Sequence, residues 1–255
     1  MNHEFTDRVA VITGAARGIG LAIARELARR GARIVLVDCN ESGLAKAVEG
    51  LNGSPVRSFV ADLSAEDAID HLVRQLAAVE PRIDVLVNNA GIEADTPIGE
   101  ITAELFDRVI AVNLRAPLLM SQAMAPLFPA SGGAIVNISS IHADHAFPNA
   151  IPYACSKAGL VALTRNLALE LAPRKIRVNA VCPGYIDTPM WEEWLQAASD
   201  PDALAQQTEE LHPLGRRGVP TDVAMAVAYL AGPESPWVTG TSLVVDGGLT
   251  VRAHP

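Results

Sequence analysis

Tyr153 and Lys157 stand four residues apart. At that spacing two side chains share one face of an α-helix, and Pro152 just before them suits a helix's first turn. A free phenol with a pKa of about 10 is protonated at neutral pH, whereas an ammonium beside it favours the phenolate. Such a pair can exchange a proton with an alcohol or a carbonyl. A chance Tyr-Lys pair on a helix surface is the plainer reading of these two residues alone. More polar chemistry accompanies them. Ser139-Ser140 and Asn88-Asn89-Ala90-Gly91 each close an apolar, strand-like run, and Asn113 lies in the helical region that follows the second motif. Hydroxyls and amides so placed reach the carboxyl edge of a sheet, where open α/β sheets bind ligands.

A second set of residues suits a dinucleotide. Thr13-Gly14-Ala15-Ala16-Arg17-Gly18-Ile19-Gly20 follows the first apolar run and leads into a helix-like stretch. Glycines there let the backbone approach a pyrophosphate, and a helix N-terminus offers free N–H groups with a partial positive charge. The spacing is GxxxGxG rather than GxGxxG, and a tight turn without a ligand is the alternative. Asp38 ends the second run, eighteen residues after Gly20. Its carboxylate can accept hydrogen bonds from adenosine ribose hydroxyls and repel a 2′-phosphate. Arg17 pulls toward such a phosphate, but Cys39 gives Asp38 no basic neighbour, so the balance favours NAD. The alternative is that Asp38 only precedes and caps a helix. Asp62-Leu63, after the third run, can hold the adenine edge, unless Asp62 merely caps a turn.

These residues need a scaffold that brings strand ends together. Apolar runs at Val9 to Thr13, Arg33 to Asp38, Val56 to Ala61, Ile83 to Val87, Ala134 to Ile138, Ile176 to Val181 and Ser242 to Val245 alternate with helix candidates. The helices are expected to begin near Gly18, Glu41, Ala65, Thr102, Pro152 and Thr221. That alternation predicts an α/β fold, a single-domain, doubly wound, seven-stranded parallel sheet with helices on both faces. No repeat or linker divides residues 1–255. Residues 189–218 break the rhythm with a polar, Trp-containing insertion, which is read as a helical substrate lid.

Composition narrows the partners. Hydrophobic residues make up 49% of 255, enough for one large buried core, and the net charge of −9 lacks the basic surplus that phosphate backbones or anionic lipid require. No nucleic acid and no membrane partner is expected. Met1 to Asp7 is too short and polar for a signal peptide, no run is long enough to span a bilayer, and three cysteines without CxxC spacing suggest reduced thiols. The expected location is the cytoplasm.

Taken together and in order, TGAARGIG, Asp62-Leu63, NNAG, Asn113, Ser140, YACSK, Pro183-Gly184 with Thr188, and Asp246-Gly247-Gly248 resemble the short-chain dehydrogenase/reductase family from Arg8 to Gly248. The resemblance implies a Rossmann-type fold, usually in a homodimer or homotetramer. It implies that Ser140, thirteen positions before Tyr153, orients the substrate oxygen, with Ser139 as its neighbouring competitor. Tyr153 is then the acid/base, Lys157 lowers its pKa and binds the nicotinamide ribose, and Asn113 holds a water linking Lys157 to solvent. Asn89, Ala90 and Gly91 fall on the cofactor site, and Pro183, Gly184, Ile186 and Thr188 on the nicotinamide carboxamide.

Substrate-facing candidates are Ser140, His142, His145, Phe147, Asn149, Tyr185, Trp191 and Trp194. Imidazole, amide and indole groups suit a polyhydroxylated ligand, although the tryptophans are as well explained by packing the lid. His142, Asp144 and His145 lack a metal-ligand set, so no metal is expected. The stretch from Thr188 to Arg216 is similar to L-fucose dehydrogenases and their hydroxysteroid-dehydrogenase relatives. The reading is therefore an NAD-dependent sugar or polyol dehydrogenase acting on a small alcohol or carbonyl. A 3-oxoacyl-thioester reductase, a hydroxysteroid dehydrogenase and a non-enzymatic NAD-sensing protein remain as alternatives.

Overall fold

The computed structural model describes residues 4–51, 53–196 and 198–252. The expected apolar runs become β1 (Val9–Thr13), β2 (Arg33–Asp38), β3 (Val56–Val60), β4 (Val85–Asn88), β5 (Gly133–Ile138), β6 (Ile176–Pro183) and β7 (Ser242–Val245). All six pairings are parallel, in the order β3-β2-β1-β4-β5-β6-β7. Ile12 lies beside Leu36 on one side and Val87 on the other, so the sheet's centre is apolar. β1 and β4 are buried along their whole length, as strands covered on both faces must be.

Two helical layers supply that cover, and the period of two along each strand sorts side chains between them. Ala10, Ile12, Ile34 and Leu36 face α1 (Gly18–Arg29), α2 (Glu41–Glu49) and α9 (Pro220–Ala231) through Ile23, Leu27, Leu44, Val223 and Val227. Val9, Val11, Val35 and Val37 face the other way. They meet α3 (Glu66–Val79), α5 (Ala116–Met124) and α6 (Ile151–Leu171) through Leu72, Leu76, Met120, Met124 and Ala168. α4 (Ala103–Ile110) runs through a π-turn at Ala111–Arg115 into α5, and Asn113 sits in that turn. Single π-turns inside longer helices concentrate at functional sites.

Residues 189–218 contain α7 (Pro189–Gln196) and α8 (Pro201–Leu211). Asp200 caps α8 by accepting from Ala203 N–H at 3.0 Å, and Pro201 follows at the first helical position. Among the described residues no helix is long and apolar enough to cross a membrane.

Gly20 shows how closely α1 packs behind the sheet's edge. A Cβ there would overlap the Gly14 carbonyl oxygen and stand 2.5 Å from Asn89 Nδ2. Gly20→Ala should destabilise the protein by about 1–3 kcal/mol, the usual cost of overpacking. Urea unfolding checks this, and an unchanged midpoint would show that α1 is free to shift.

Candidate active site

Strand order reverses between β1 and β4, and the carboxyl ends of those strands open into a cavity of about 810 Å³. Open α/β sheets bind their ligands at this switch point. Every expected cofactor residue except Gly20 lines the cavity. Gly20 instead packs α1 against the turn after β1.

Thr13 and Asn89 hold that turn in place. The Asn89 amide donates to the carbonyls of Thr13 and Gly14, each at 2.9 Å, and the N–H groups of Asn89 and Ala90 donate to Thr13 Oγ1. Gly14 can approach Ala90 closely because it has no Cβ and takes a φ of 63°. The cradle fits a dinucleotide. α1 has no side-chain cap and no acidic residue in its first turn, so its N–H groups and partial charge are uncompensated where Gly18, at φ 58°, lines the cavity. Asp38 accepts from Ala16 N–H at 3.0 Å and from Asn40 N–H at 2.9 Å, which fixes its carboxylate on the cavity wall. The cap of α2 is Asn40, so the helix-cap alternative for Asp38 fails. Asp62 accepts from Ser64 N–H at 2.9 Å and lines the cavity as well, so its turn-capping and wall positions coexist.

At the catalytic end, α6 carries Tyr153 and Lys157 on its cavity face. Lys157 is buried and donates to the Ile138 carbonyl at 2.8 Å, with its ammonium 5.4 Å from the Tyr153 ring centre. The two serines separate cleanly. Ser139 donates to the Lys157 carbonyl at 3.0 Å and so ties β5 to α6, whereas Ser140 shares a hydrogen bond with Tyr153 and accepts from His142 N–H. Asn113 does not line the cavity. Its amide accepts from Ile92 N–H and donates to the Ile92 carbonyl and to Ser156, so any water it holds must meet its main chain.

Beyond Tyr153 the cavity is walled by aromatic rings around Tyr185. Trp194 stacks on it at 6.2 Å, Trp191 meets it at 5.5 Å, and Phe147 approaches edge-on at 6.4 Å. Asn149 also lines the cavity, and its carbonyl accepts from Thr96 N–H at 2.8 Å. His142 stacks on Phe147 at 4.1 Å and meets Tyr153 edge-on at 5.2 Å, with Nδ1 buried and unpartnered. His145 lies outside the cavity wall. Among the described residues no cluster of three His, Cys, Asp or Glu side chains is placed to hold a metal ion.

A family model described as enoyl-(acyl carrier protein) reductase matches residues 14–250. The 3-oxoacyl-[acyl-carrier-protein] reductase of Thermotoga maritima is 41% identical, over 96% of this chain and 98% of its own. The chain belongs to the short-chain dehydrogenase/reductase family. Another relative, the cis-4-hydroxycyclohexanecarboxylate dehydrogenase of Sinomonas cyclohexanicum, is 41% identical over 98% of this chain and 99% of its own. A solved structure from Beutenbergia cavernae, described as a candidate NAD(P)-dependent gluconate 5-dehydrogenase with bound NADP, superposes with a TM-score of 0.90 at 34% identity. That match covers 99% of this chain and all of the other. The protein is thus an oxidoreductase of alcohol or carbonyl groups that takes a nicotinamide cofactor.

In this family member the phenol does not follow the expectation drawn from Lys157. Burial pushes the Tyr153 hydroxyl above its ordinary value, Glu93 pushes it further, and only the Ser140 hydrogen bond opposes them. Burial equally lowers the Lys157 ammonium, to about 8. Glu93 and Asp95 were not anticipated from the sequence. They lie just beyond β4 on the cavity wall, and the only available signal was their position after Asn88-Asn89-Ala90-Gly91 at the sheet's carboxyl edge. Although Glu93 still touches solvent, the concave wall around it and the charge of Asp95 push its carboxyl up.

His142 provides a test of this environment. Burial first, and Lys157 second, lower its imidazole from 6.5 to about 4. The unfolded chain therefore takes up this proton before the folded one does, so the stability contributed by neutral His142 is complete above pH 6.5 and is lost as pH falls toward 4. Urea unfolding from about pH 7 down to 4 should show a shallower decline for His142→Gln than for the parent. Parallel curves would show that the site does not hold the imidazole neutral.

Proposed function

We propose that the protein is an NAD-dependent dehydrogenase of a secondary alcohol, or sugar hemiacetal, on a neutral polyhydroxylated ring. One observation carries this reading. Glu93, Asp95 and the unpartnered Nδ1 of His142 share the substrate half of the cavity with the rings of Phe147, Tyr185, Trp191 and Trp194. A sugar or polyol offers hydroxyl donors to the acceptors and C–H faces to the rings. The arginines and lysine among the described lining residues are Arg17, Arg108 and Lys157. Arg17 and Arg108 belong to the cofactor half with Asp38 and Asp62, and Lys157 is buried beneath Tyr153. Among the described residues the only cation acting on Glu93 is Lys157, which burial pushes toward its neutral form, so the carboxylates disfavour an anionic substrate, which weighs against an acyl thioester on an acidic carrier.

In this reading Tyr153 takes the hydroxyl proton during oxidation and returns it during reduction, while Ser140 hydrogen-bonds the substrate oxygen as its charge changes. Lys157 and the backbone around Gly18, with Asp38, Ile186 and Thr188, hold the dinucleotide, whose nicotinamide supplies the hydride chemistry. Asp38 on the wall favours NAD by repelling a 2′-phosphate. α7 and α8 act as the substrate lid. Asn113 acts by positioning Ile92 and Ser156. The exposed Phe106, Leu118, Leu169 and Trp237 support assembly as a homodimer or homotetramer.

The apolar surface of the same rings favours a second reading, a hydroxysteroid or other sparsely hydroxylated ring alcohol. Absorbance at the reduced-nicotinamide band, with purified protein, NAD and panels of aldoses, polyols, hydroxysteroids and acyl thioesters, separates the two. Turnover confined to aldoses or polyols is expected, with KM rising about tenfold in Glu93→Gln and kcat little changed, the loss of one charge-assisted hydrogen bond. A preference for hydroxysteroids, with KM indifferent to that change, would install the second reading.

Tyr153→Phe should abolish turnover while NAD still binds, because the ring remains and only the transferable proton is removed. Turnover near the parent rate would overturn the assignment of the acid/base.

A further inference from the structure

α7 reaches across the cleft mouth to the opposite lip. Its N-terminal Thr188 and Pro189 sit where a Cβ on Gly18 would meet them at 3.7 Å, and one turn later Glu193 accepts from Arg17 at 2.6 Å. The ion pair joins two segments 176 residues apart, the glycine turn and the roof helix. Arg17 adjoins Ala16, whose N–H donates to Asp38, so the guanidinium starts from the same stretch of backbone that meets the ribose-binding carboxylate. Arg108, the other arginine on this half of the wall, lies in the field of Asp62. Glu193 thus occupies a guanidinium that has a second natural partner, a phosphate dianion on the adenosine ribose.

We propose that Glu193 is a positioning residue for cofactor choice, holding Arg17 on the roof helix and withholding it from a 2′-phosphate. This rests on the reading of the cleft as an NAD site and adds a second determinant to Asp38. Asp38 acts by repulsion at the ribose, and Glu193 acts at a distance by occupying a cation that would otherwise attract NADP. Arg17 and Glu193 are both more than half exposed, so the pair is weak and reversible. It therefore tilts the choice rather than deciding it. The arrangement also explains how a glycine turn bearing an arginine, a residue suited to phosphate, coexists with an acidic residue at the end of β2.

The test is a nucleotide titration without substrate, followed by tryptophan fluorescence, since Trp191 and Trp194 line the cavity. Asp38→Ser is the working background, because it should bring NADP binding into measurable range. In that background, at low ionic strength, Glu193→Gln should tighten NADP by about three- to fivefold, the range an exposed ion pair supports, and leave NAD unchanged. The gain should vanish when Arg17→Ala is added, and should shrink in about 0.5 M salt. Equal shifts for NAD and NADP, no shift, or a gain that survives Arg17→Ala would each overturn the proposal. Failure of the sugar or polyol reading appears only in the turnover panel and leaves this titration untouched. Absence of binding by either nucleotide would overturn the cleft assignment and this inference with it.

Discussion

A buried ammonium needs partners to keep its charge, and one end of the cavity is arranged around that of Lys157. Lys157 has lost nearly all contact with water; the Ile138 carbonyl at the end of β5 accepts from it, and the nearby Glu93 carboxylate also favours its charge. Desolvation of this kind drives a cation toward its neutral form, as it drives the neighbouring phenol. Burial thus moves the two proton affinities apart, Tyr153 upward and Lys157 downward, and favours the neutral form of each. α6 is tied to the end of β5 by point contacts, with Ser139 pinned to the Lys157 carbonyl and Thr164 accepting from Asn137 at 2.9 Å.

The same polar stitching continues across the sheet. Asn88 on β4 donates to Asn137 on β5 at 2.8 Å, within the buried interior of the sheet. Each of these amides has a partner, so the network fixes the lateral position of the strands without leaving an unpaired buried group. Asn89 and Thr13 then extend it to the glycine turn. The nucleotide half and the proton-transfer half of the cavity are in this way positioned by one continuous run of hydrogen bonds. A small displacement of β4 would be felt at both.

The roof is held differently. Its links to the body include the exposed pair of Arg17 with Glu193, Trp194 Nε1 donating to Asp95 at 3.2 Å, and the Leu214 N–H donating to the Gly247 carbonyl at 3.2 Å. Exposed pairs contribute roughly 0–1 kcal/mol each, so Arg17 with Glu193 adds little to stability beside the buried Trp191 and Thr208.

The amino-acid sequence by itself determined the strands, their parallel pairing and the residues that bring chemistry, because these are written in local patterns, whereas the order of the strands across the sheet came from the structure. Apolar runs of strand length, a glycine turn before a helix, and a Tyr-Lys spacing of four are all readable without knowing what lies opposite. Composition and periodicity alone did not separate adjacent residues of equal chemistry. The family resemblance favoured Ser140 over Ser139, and the structure shows why: Ser139 is tied to the Lys157 carbonyl while Ser140 meets Tyr153. The direction of the Tyr153 shift was equally beyond a linear reading, since spacing shows the ammonium but not the burial that outweighs it. Glu93 and Asp95 joined the substrate wall, and Arg17 turned to Glu193 rather than standing free, through contacts between segments distant in sequence. Local order fixes which groups are available, and tertiary packing decides their solvent, their neighbours and therefore their chemistry.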